Sequence, residues 1–166
     1  MIQPLAYVHP SAKISDHVII DPFVTIHADV EIGEGTHVMS GATIFKGTRI
    51  GKSCRIFPGV SIGAIPQDLK FDGEETLTVI GNNTTIREYV TINKGTKASG
   101  VTKVGNNVLL MAYVHLAHDV VIEDCCILAN SVQIAGHVTV GEWAILGGAA
   151  LVHSVQMMNK VKEIAM

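Results

Sequence analysis

The fold is decided by the stretch ISDHVIIDPFVTIHADVEIGEGTHV, residues 14–38, in which every sixth residue from Ile14 to Val38 is a β-branched aliphatic. A helix would space its apolar residues by three and four, and an ordinary half-buried strand by two. A strict period of six fits neither and is typical of a hexapeptide parallel β-helix. The same period runs through most of the chain, at Val8, Ile14, Ile20, Ile26, Ile32, Val38, Ile44, Ile50, Ile56, Ile62, Ile80, Ile86, Ile92, and then from Val104 at every sixth residue to Val152.

The period of six predicts a triangular prism, in which each hexapeptide forms one flat side and three consecutive hexapeptides make one coil. Coils stack at a strand spacing of about 4.8 Å, so each repeated aliphatic points inward onto its equivalents in the neighbouring coils. These sites are called the inward positions below. A small or short side chain is expected four residues after each, near a corner. Residues with positive φ are expected at corners that carry Gly or Asn, namely Gly33, Gly35, Gly51, Gly81, Asn82, Gly105 and Asn106.

Composition excludes several classes of protein. The 166 residues suit one domain, and a net charge of −3 gives no reason to expect nucleic acid or an anionic membrane as a partner. The sequence has no transmembrane segment, since no run approaches about 20 apolar residues, and it has no signal-peptide pattern. Cys54, Cys125 and Cys126 are odd in number and form no zinc pattern. We therefore predict a cytoplasmic protein in which the thiols are small core fillers.

The period breaks twice within the chain and ends near its C-terminus. Residues 63–79 place acidic residues where aliphatics belong, which predicts an external loop. In this loop Gln67, Asp68 and Lys70 follow a proline and are candidate binding residues, although the segment could equally be a surface insertion. The second break, residues 97–103, is interpreted as a tolerated surface insertion. The repeat domain is predicted to span residues 1–155, with a short non-repeat tail at 156–166.

Four histidines are concentrated in HLAHD (115–119), AGH (135–137) and VH (152–153). A coil of three hexapeptides places Gly136 one coil above His118 and His137 directly above Asp119. His153 lies one coil after Ala135 and therefore in the neighbouring column. An imidazole, a carboxylate, a glycine N–H and two further imidazoles, those of His137 and His153, are thus predicted to converge within roughly two coil rises, about 10 Å.

This convergence is suited to acyl transfer. His118 can act as a general base on a hydroxyl, Asp119 can fix its tautomer, and the Gly136 N–H can reach an oxyanion because no Cβ blocks the approach. One alternative is zinc binding by histidines, although His115 and His118, at an odd spacing, face opposite surfaces. Another is that all four histidines are polar surface residues.

Longer motifs carry a specific resemblance. The segments IPQDLK (65–70), TIREYVTINKGT (85–96), LLMAYVHLAHD (109–119) and ILANSVQIAGHVTVGEWAILGGAALVH (127–153) resemble the UDP-N-acetylglucosamine O-acyltransferase family. The likeness runs from residue 1 to about 153. It implies a left-handed coil, an all-β fold, a homotrimer with active sites in clefts between subunits, and no cofactor or metal. It also implies transfer of a (3R)-3-hydroxyacyl group from acyl carrier protein to the glucosamine 3-hydroxyl in lipid A biosynthesis.

The resemblance implies a role for each matching residue. His118 would be the general base, Asp119 would orient it, and the Gly136 amide would stabilise the oxyanion. The nucleotide sugar and its neighbouring polar groups would be bound by a second set of residues, which comprises Gln67, Asp68, Lys70, His115, His137 and His153.

Three departures from the family pattern stand out. Ser154 follows His153 where the family commonly has Gln-Phe, and Asn93 stands where the family has His. The further coils and C-terminal helical domain of the family are also absent, so the sequence looks like the N-terminal part of such an enzyme. Weak catalysis and poor selectivity for acyl length are therefore expected. The remaining alternatives are a non-catalytic trimeric prism and a zinc-dependent hydratase-like prism.

Overall fold

The computed structural model describes residues 1–153, and within them every regular element is a strand of two to four residues. Each strand pairs in parallel with the strand three elements further along the chain, so the strands form three sheets. These sheets are the three flat sides of the prism. The predicted all-β parallel helix is therefore confirmed.

The strands are distributed over the sheets as follows. The first sheet has eight strands: β1 (Tyr7–Val8), β4 (Thr25–Ile26), β7 (Thr43–Ile44), β10 (Ser61–Ala64), β13 (Thr91–Asn93), β16 (His115–Leu116), β19 (Gln133–Ile134) and β22 (Leu151–Val152). The second has seven: β2 (Lys13–Ile14), β5 (Glu31–Ile32), β8 (Thr48–Ile50), β11 (Leu77–Ile80), β14 (Val101–Val104), β17 (Val121–Ile122) and β20 (Thr139–Val140). The third also has seven: β3 (Ile19–Ile20), β6 (His37–Val38), β9 (Arg55–Ile56), β12 (Thr85–Ile86), β15 (Leu109–Leu110), β18 (Ile127–Leu128) and β21 (Ile145–Leu146).

The inward positions form the core, as the period predicts. Ile26 pairs with Ile44, one coil later, and the same register recurs on the other two sides. From Ile20 to Leu146 the side chains at the inward positions are at most 4% exposed. Burial of one such aliphatic side chain contributes about 1.5–3 kcal/mol. The stacked column of β-branched residues is thus the main source of stability in each coil.

The corners differ from the prediction in detail. Positive φ falls three residues after an inward position, for example at His17 and Asp29, and among the predicted corner residues only Gly35 has it. The left-handed asparagines are Asn83 and Asn107, each one residue later than predicted.

The other predicted glycines serve close packing between coils. Gly33, Gly51, Gly81 and Gly105 lie in one column, and a Cβ on Gly33 would lie 2.7 Å from the carbonyl carbon of Gly51. Asn82 is placed beside this column, where its side-chain oxygen accepts a hydrogen bond from the Lys52 N–H at 2.8 Å. These positions therefore need a small residue or a side-chain acceptor, and they do not need a left-handed backbone.

Both breaks of the period leave the prism at the corner between the first and second sheets. The long loop joins β10 to β11 and spans residues 65–76, fewer than the predicted 63–79, because the residues at both ends still pair within the sheets. The short loop joins β13 to β14 and spans residues 94–100, where 97–103 was predicted. In the following coil the same corner carries residues 117–120, directly after β16.

Two further predictions concern the cysteines, which the structure describes, and the C-terminal boundary of the repeat domain, which it does not. All three cysteines are free thiols, and Cys54 and Cys126 fill the core as predicted. Cys125 is half-buried at a corner, so its assignment to the core was wrong. The predicted domain end at residue 155 and the predicted tail at 156–166 lie outside the described residues.

Candidate active site

Four of the predicted site residues meet at the corner that carries the two loops. His118 and Asp119 follow β16, and Gly136 and His137 follow β19 one coil later. The rings of His118 and His137 lie 5.0 Å apart, edge to face at 84°. The spacing of three hexapeptides thus brings the residues together as the coil arithmetic predicts.

Asp119 is the most deeply buried polar group of the cluster, with a side chain only 1% exposed. Its Oδ1 accepts from the Thr96 N–H at 3.0 Å and from the Ser99 hydroxyl, and its Oδ2 accepts from the Thr96 hydroxyl at 2.7 Å. Together with the His118 ring at 2.8 Å, these donors fill about four acceptor sites of a carboxylate. Burial alone would raise the pKa of Asp119, but the hydrogen bonds from Ser99, Thr96 and His118 outweigh it and hold the pKa well below its usual range. Asp119 is therefore an anion at neutral pH.

The anionic carboxylate fixes the proton on the His118 ring. An ionised carboxylate can only accept, so His118 Nδ1 donates to Asp119 Oδ2 across 2.8 Å. In the neutral ring the lone pair is then on Nε2, the nitrogen on the far side from Asp119. The His118 side chain remains 17% exposed, so the cluster is open to a reactant. This arrangement is that of a general base held by a carboxylate.

Gly136 lies against the His118 ring. A Cβ at position 136 would lie 2.6 Å from His118 Cε1 and 2.8 Å from Nε2, closer than such atoms approach in proteins. The Gly136 N–H donates to no backbone or side-chain oxygen of residues 1–153. The absence of a Cβ at Gly136 thus leaves room for the imidazole, a requirement that the sequence alone does not reveal. The Gly136 N–H also remains free to donate to an incoming oxygen.

Gly136→Ala is expected to displace the His118 ring and to lower kcat, while the three-sheet core stays folded. The control is Gly147→Ala in the next coil, because a Cβ there would meet nothing within 4 Å. Turnover and circular dichroism of both variants measure the effect. Full activity in Gly136→Ala would mean that the ring position does not matter.

His137 is the exposed member of the cluster. Its Nδ1 lies 3.8 Å from Asp119 Oδ2, and 52% of its side chain is exposed. The position above Asp119 agrees with the coil arithmetic. Because its ring is turned edge-on to His118 and reaches solvent, His137 is placed to meet a ligand that enters the corner.

The structure places His115 and His153 in an adjacent groove, outside the His118 cluster. The groove lies on the outer face of the first sheet, encloses about 260 Å³ and is lined also by Gln133 and Leu151. His115 Nδ1 is 2.8 Å from the Thr91 hydroxyl, and burial lowers the pKa of His115, which favours a neutral ring. The predicted convergence of His153 with His118 was therefore wrong, because His153 lies with His115 in this groove.

The candidates on the long loop lie apart from the histidines. Asp68 caps its own turn, because its Oδ1 accepts from the Lys70 N–H at 3.0 Å. Gln67 and Lys70 are exposed, and within residues 1–153 no hydrogen bond or ion pair joins these three side chains to the His118 cluster. One chain therefore does not assemble the full predicted set.

The interpretation of the second break as a tolerated surface insertion was wrong. Thr96 and Ser99 of the short loop bind the Asp119 carboxylate, and the Asp119 N–H donates to Thr102 Oγ1 at 2.8 Å. The signal was available in the sequence, because Ile92 and Leu116, which pair in the structure, are one hexapeptide further apart than a regular coil requires. Counting back from Asp119 by this longer coil leads to Gly95, directly beside Thr96.

Asn93, the residue that departs from the family pattern, is buried at the root of the long loop. It is 4% exposed, and its side-chain amide donates to the Ile65 carbonyl at 3.1 Å. Within the described residues its Oδ1 has no partner. Asn93 thus tethers the start of the loop to β13.

The alternative to a general base is a metal site, because this corner also offers possible metal ligands. His118, Asp119 and His137 present one ligand atom each within 4.8 Å of one another. Both Asp119 oxygens, however, already accept hydrogen bonds from the short loop and His118. A divalent cation would have to displace these donors, so the geometry favours proton transfer over metal binding.

Comparison with known proteins shows the family of the chain. Residues 2–96 match a family model described as the GMPPB C-terminal domain, and residues 102–136 match bacterial transferase hexapeptide repeats. The first match ends before His115, so it does not include the histidine cluster. LpxA of Bacteroides fragilis, a UDP-N-acetylglucosamine acyltransferase of known structure, is 47% identical over 92% of this chain and 67% of its own, with a TM-score of 0.88. This chain belongs to the UDP-N-acetylglucosamine O-acyltransferase family.

Other members of the family are similar to this chain in sequence and in fold. LpxA of Acinetobacter baumannii is 42% identical over 92% of this chain and 59% of its own, with a TM-score of 0.90. The acyl-[acyl-carrier-protein]–UDP-N-acetylglucosamine O-acyltransferase of Janthinobacterium sp. is 45% identical over 154 residues. The predicted family and the left-handed coil are thereby confirmed. The chain spans 59% of the length of that relative and 56% of the one from Thermodesulfovibrio yellowstonii.

A membrane-spanning helix is not found in the described part of the chain, where all regular elements are short strands.

Proposed function

We propose that this protein transfers a (3R)-3-hydroxyacyl group from acyl carrier protein to the 3-hydroxyl of UDP-N-acetylglucosamine, the first committed transfer of lipid A biosynthesis. The observation that carries the proposal is the His118–Asp119 pair at 2.8 Å beneath Gly136, on a scaffold 45% identical to an acyltransferase with those substrates in its name. The pair supplies a base whose free nitrogen, Nε2, lies beside Gly136.

The chemical steps follow from this geometry. His118 Nε2 removes the proton from the sugar 3-hydroxyl as that oxygen attacks the thioester carbonyl carbon. The negative charge that develops on the carbonyl oxygen is stabilised by the Gly136 N–H, which has no partner within the described residues. The intermediate then collapses, the carbon–sulfur bond breaks, and the imidazolium returns its proton to the leaving thiolate. Asp119 stabilises the imidazolium between the two transfers.

The substrate contacts are assigned to the remaining candidates. His137 is half exposed above Asp119, and His115 and His153 line the adjacent groove on the first sheet. Gln67, Asp68 and Lys70 lie on the long loop, which leaves the prism at the same corner two coils earlier. Because this loop does not reach the His118 cluster of its own chain, we assign its contacts to a ligand bound between subunits.

A homotrimer is the assembly that suits this division of the site. Support comes from large apolar side chains on the outer faces, among them Ile145, 55% exposed, and Leu151, 80% exposed. Closed symmetry is the usual way to cover such faces.

The cytoplasm is the compartment that we assign to the reaction. The free thiols of Cys54, Cys125 and Cys126 support a reducing environment. We propose no cofactor, because the reaction balances with the donor, the acceptor and the residues named.

The test is an acyl-transfer assay with the purified full chain. A (3R)-3-hydroxyacyl carrier protein and UDP-N-acetylglucosamine are incubated with it, and the acylated nucleotide sugar is measured by mass spectrometry. An acceptor without the 3-hydroxyl is the control and should give no product. If neither acceptor is acylated while a full-length relative is active in parallel, the catalytic proposal is wrong and a non-catalytic prism is favoured. Stoichiometric zinc in the purified protein would instead favour the hydratase-like alternative.

A further inference from the structure

The short loop, residues 94–100, is fixed at both ends to the neighbouring coil. The Gly95 N–H donates to the Leu77 carbonyl at 3.2 Å, and the Leu77 N–H donates to the Gly100 carbonyl at 2.9 Å. The Thr76 hydroxyl donates to the Gly95 carbonyl at 2.6 Å. Within the loop, the Gly100 N–H closes a turn on the Thr96 carbonyl at 2.7 Å. A loop with this many backbone bonds holds its side chains in defined positions.

Two hydroxyl groups of this loop are oriented toward Asp119 by backbone donors. Thr96 Oγ1 accepts from the Ala98 N–H at 3.2 Å, and Ser99 Oγ accepts from the Val101 N–H at 3.3 Å. A hydroxyl that accepts from the backbone has its single proton available for another acceptor. The Thr96 proton then points at the buried Asp119 carboxylate. The Ser99 hydroxyl has two acceptors within reach, Asp119 Oδ1 and the Val101 carbonyl at 2.9 Å, and the carboxylate is the stronger acceptor because its hydrogen bond is charge-assisted.

We infer that Thr96 and Ser99 are positioning residues, which hold Asp119 in one orientation and so keep His118 with its proton on Nδ1. The inference rests on the proposed function, and it adds the short loop to the catalytic machinery. Without these donors the Asp119 side chain could rotate, and the hydrogen bond between its Oδ2 and His118 Nδ1 would be lost. The loop is thus a structural support for the base.

The short loop also has a link to the long loop. The Lys97 N–H donates to Glu74 Oε1 at 3.1 Å, and the Lys94 N–H donates to the Ala64 carbonyl at 2.9 Å. Movement of the loop that carries Lys70 would therefore be transmitted to the donors of Asp119.

The test compares Thr96→Val, Ser99→Ala and the double variant with the unaltered full chain. Each single variant is expected to lower kcat about 10-fold, the loss typical of one hydrogen bond to a charged group, with little change in KM. Thr96→Ser restores the hydroxyl and should restore kcat. The matched control is Thr36→Val, which removes a buried hydroxyl that donates to the Gly51 carbonyl at 2.9 Å and forms no hydrogen bond to the short loop or to Asp119.

The pH profile separates positioning from simple stability. Loss of the Thr96 and Ser99 hydroxyls removes two of the hydrogen bonds that lower the pKa of Asp119, so this pKa rises. The acidic limb of kcat/KM in the double variant should therefore move to higher pH, whereas Thr36→Val should leave it in place. An unmoved limb, or an equal loss of kcat in Thr36→Val, would contradict the inference.

A second measurement decides the inference even if the protein has no acyltransferase activity. The ¹⁵N shifts of the His118 ring, assigned by difference against His118→Ala, report which nitrogen carries the proton. The unaltered chain should show the Nδ1–H form, and the double variant should show a mixture of both forms. An unchanged ratio would overturn the positioning role, whereas absence of acyl transfer with a changed ratio would overturn only the proposed function.

Discussion

Replacement of His118 by alanine is expected to lower kcat at least about 100-fold, the lower end of the contribution of a general base. The ring is 17% exposed and packs beside Gly136, so its loss removes few core contacts and should leave the fold intact. KM should change little, because the acceptor is bound mainly by other groups. The measurements are steady-state kinetics, circular dichroism and the oligomeric state in solution.

Two further histidine variants show whether the effect is specific. His17→Ala changes an exposed histidine at a corner far along the chain from His118 and should leave kcat and KM unchanged. His137→Ala removes the exposed ring above Asp119 and should mainly raise KM. If His118→Ala kept most of its activity, the assignment of the base would be wrong. If the variant lost its fold or assembly as well, the residue would be structural.

The interior of the prism could be predicted from the sequence because a single periodic signal determines it. Each inward position must be apolar and similar in size to its neighbours above and below, as at Ile26 and Ile44. The same arithmetic predicted the contact between Gly136 and His118, since no residue is inserted between them. Where a coil consists of three uninterrupted hexapeptides, the position of a residue in the chain predicts its position in the fold.

The corners and the short loop could not be predicted with the same certainty. Glycine can permit either a left-handed backbone or the close approach of two coils, and the sequence does not distinguish the two. A positive φ was therefore predicted for Gly33, whereas the structure uses this glycine for close packing against Gly51. The role of Thr96 depends on a coil that is one hexapeptide longer than a regular coil, and the interruption of the period conceals this length. Lys70 differs, because the contact that we propose for it lies between subunits and so depends on geometry that one chain does not contain.

The six-residue period itself is tested by Ile134→Asp, which should abolish folding. Ile134 lies in β19 between Leu116 and Val152 and is 0% exposed, so the new carboxylate would have only apolar neighbours in its column. An unpaired buried charge costs several kcal/mol, and the lost aliphatic packing adds to it. Since domains are stable by only about 5–15 kcal/mol, the variant should be unfolded or insoluble.

Ile145→Asp is the matched control, because it makes the same substitution at an outward position. Ile145 lies in β21 directly before the inward Leu146, and 55% of its side chain is exposed. A carboxylate there lies outside the core of the chain, so each chain should fold and show the circular dichroism of the parent, although the charge would weaken a trimer that covers this face. Soluble expression and thermal unfolding of the two variants give the comparison. A well-folded Ile134→Asp protein would contradict the assignment of inward positions, and with it the stacking that places Gly136 on His118.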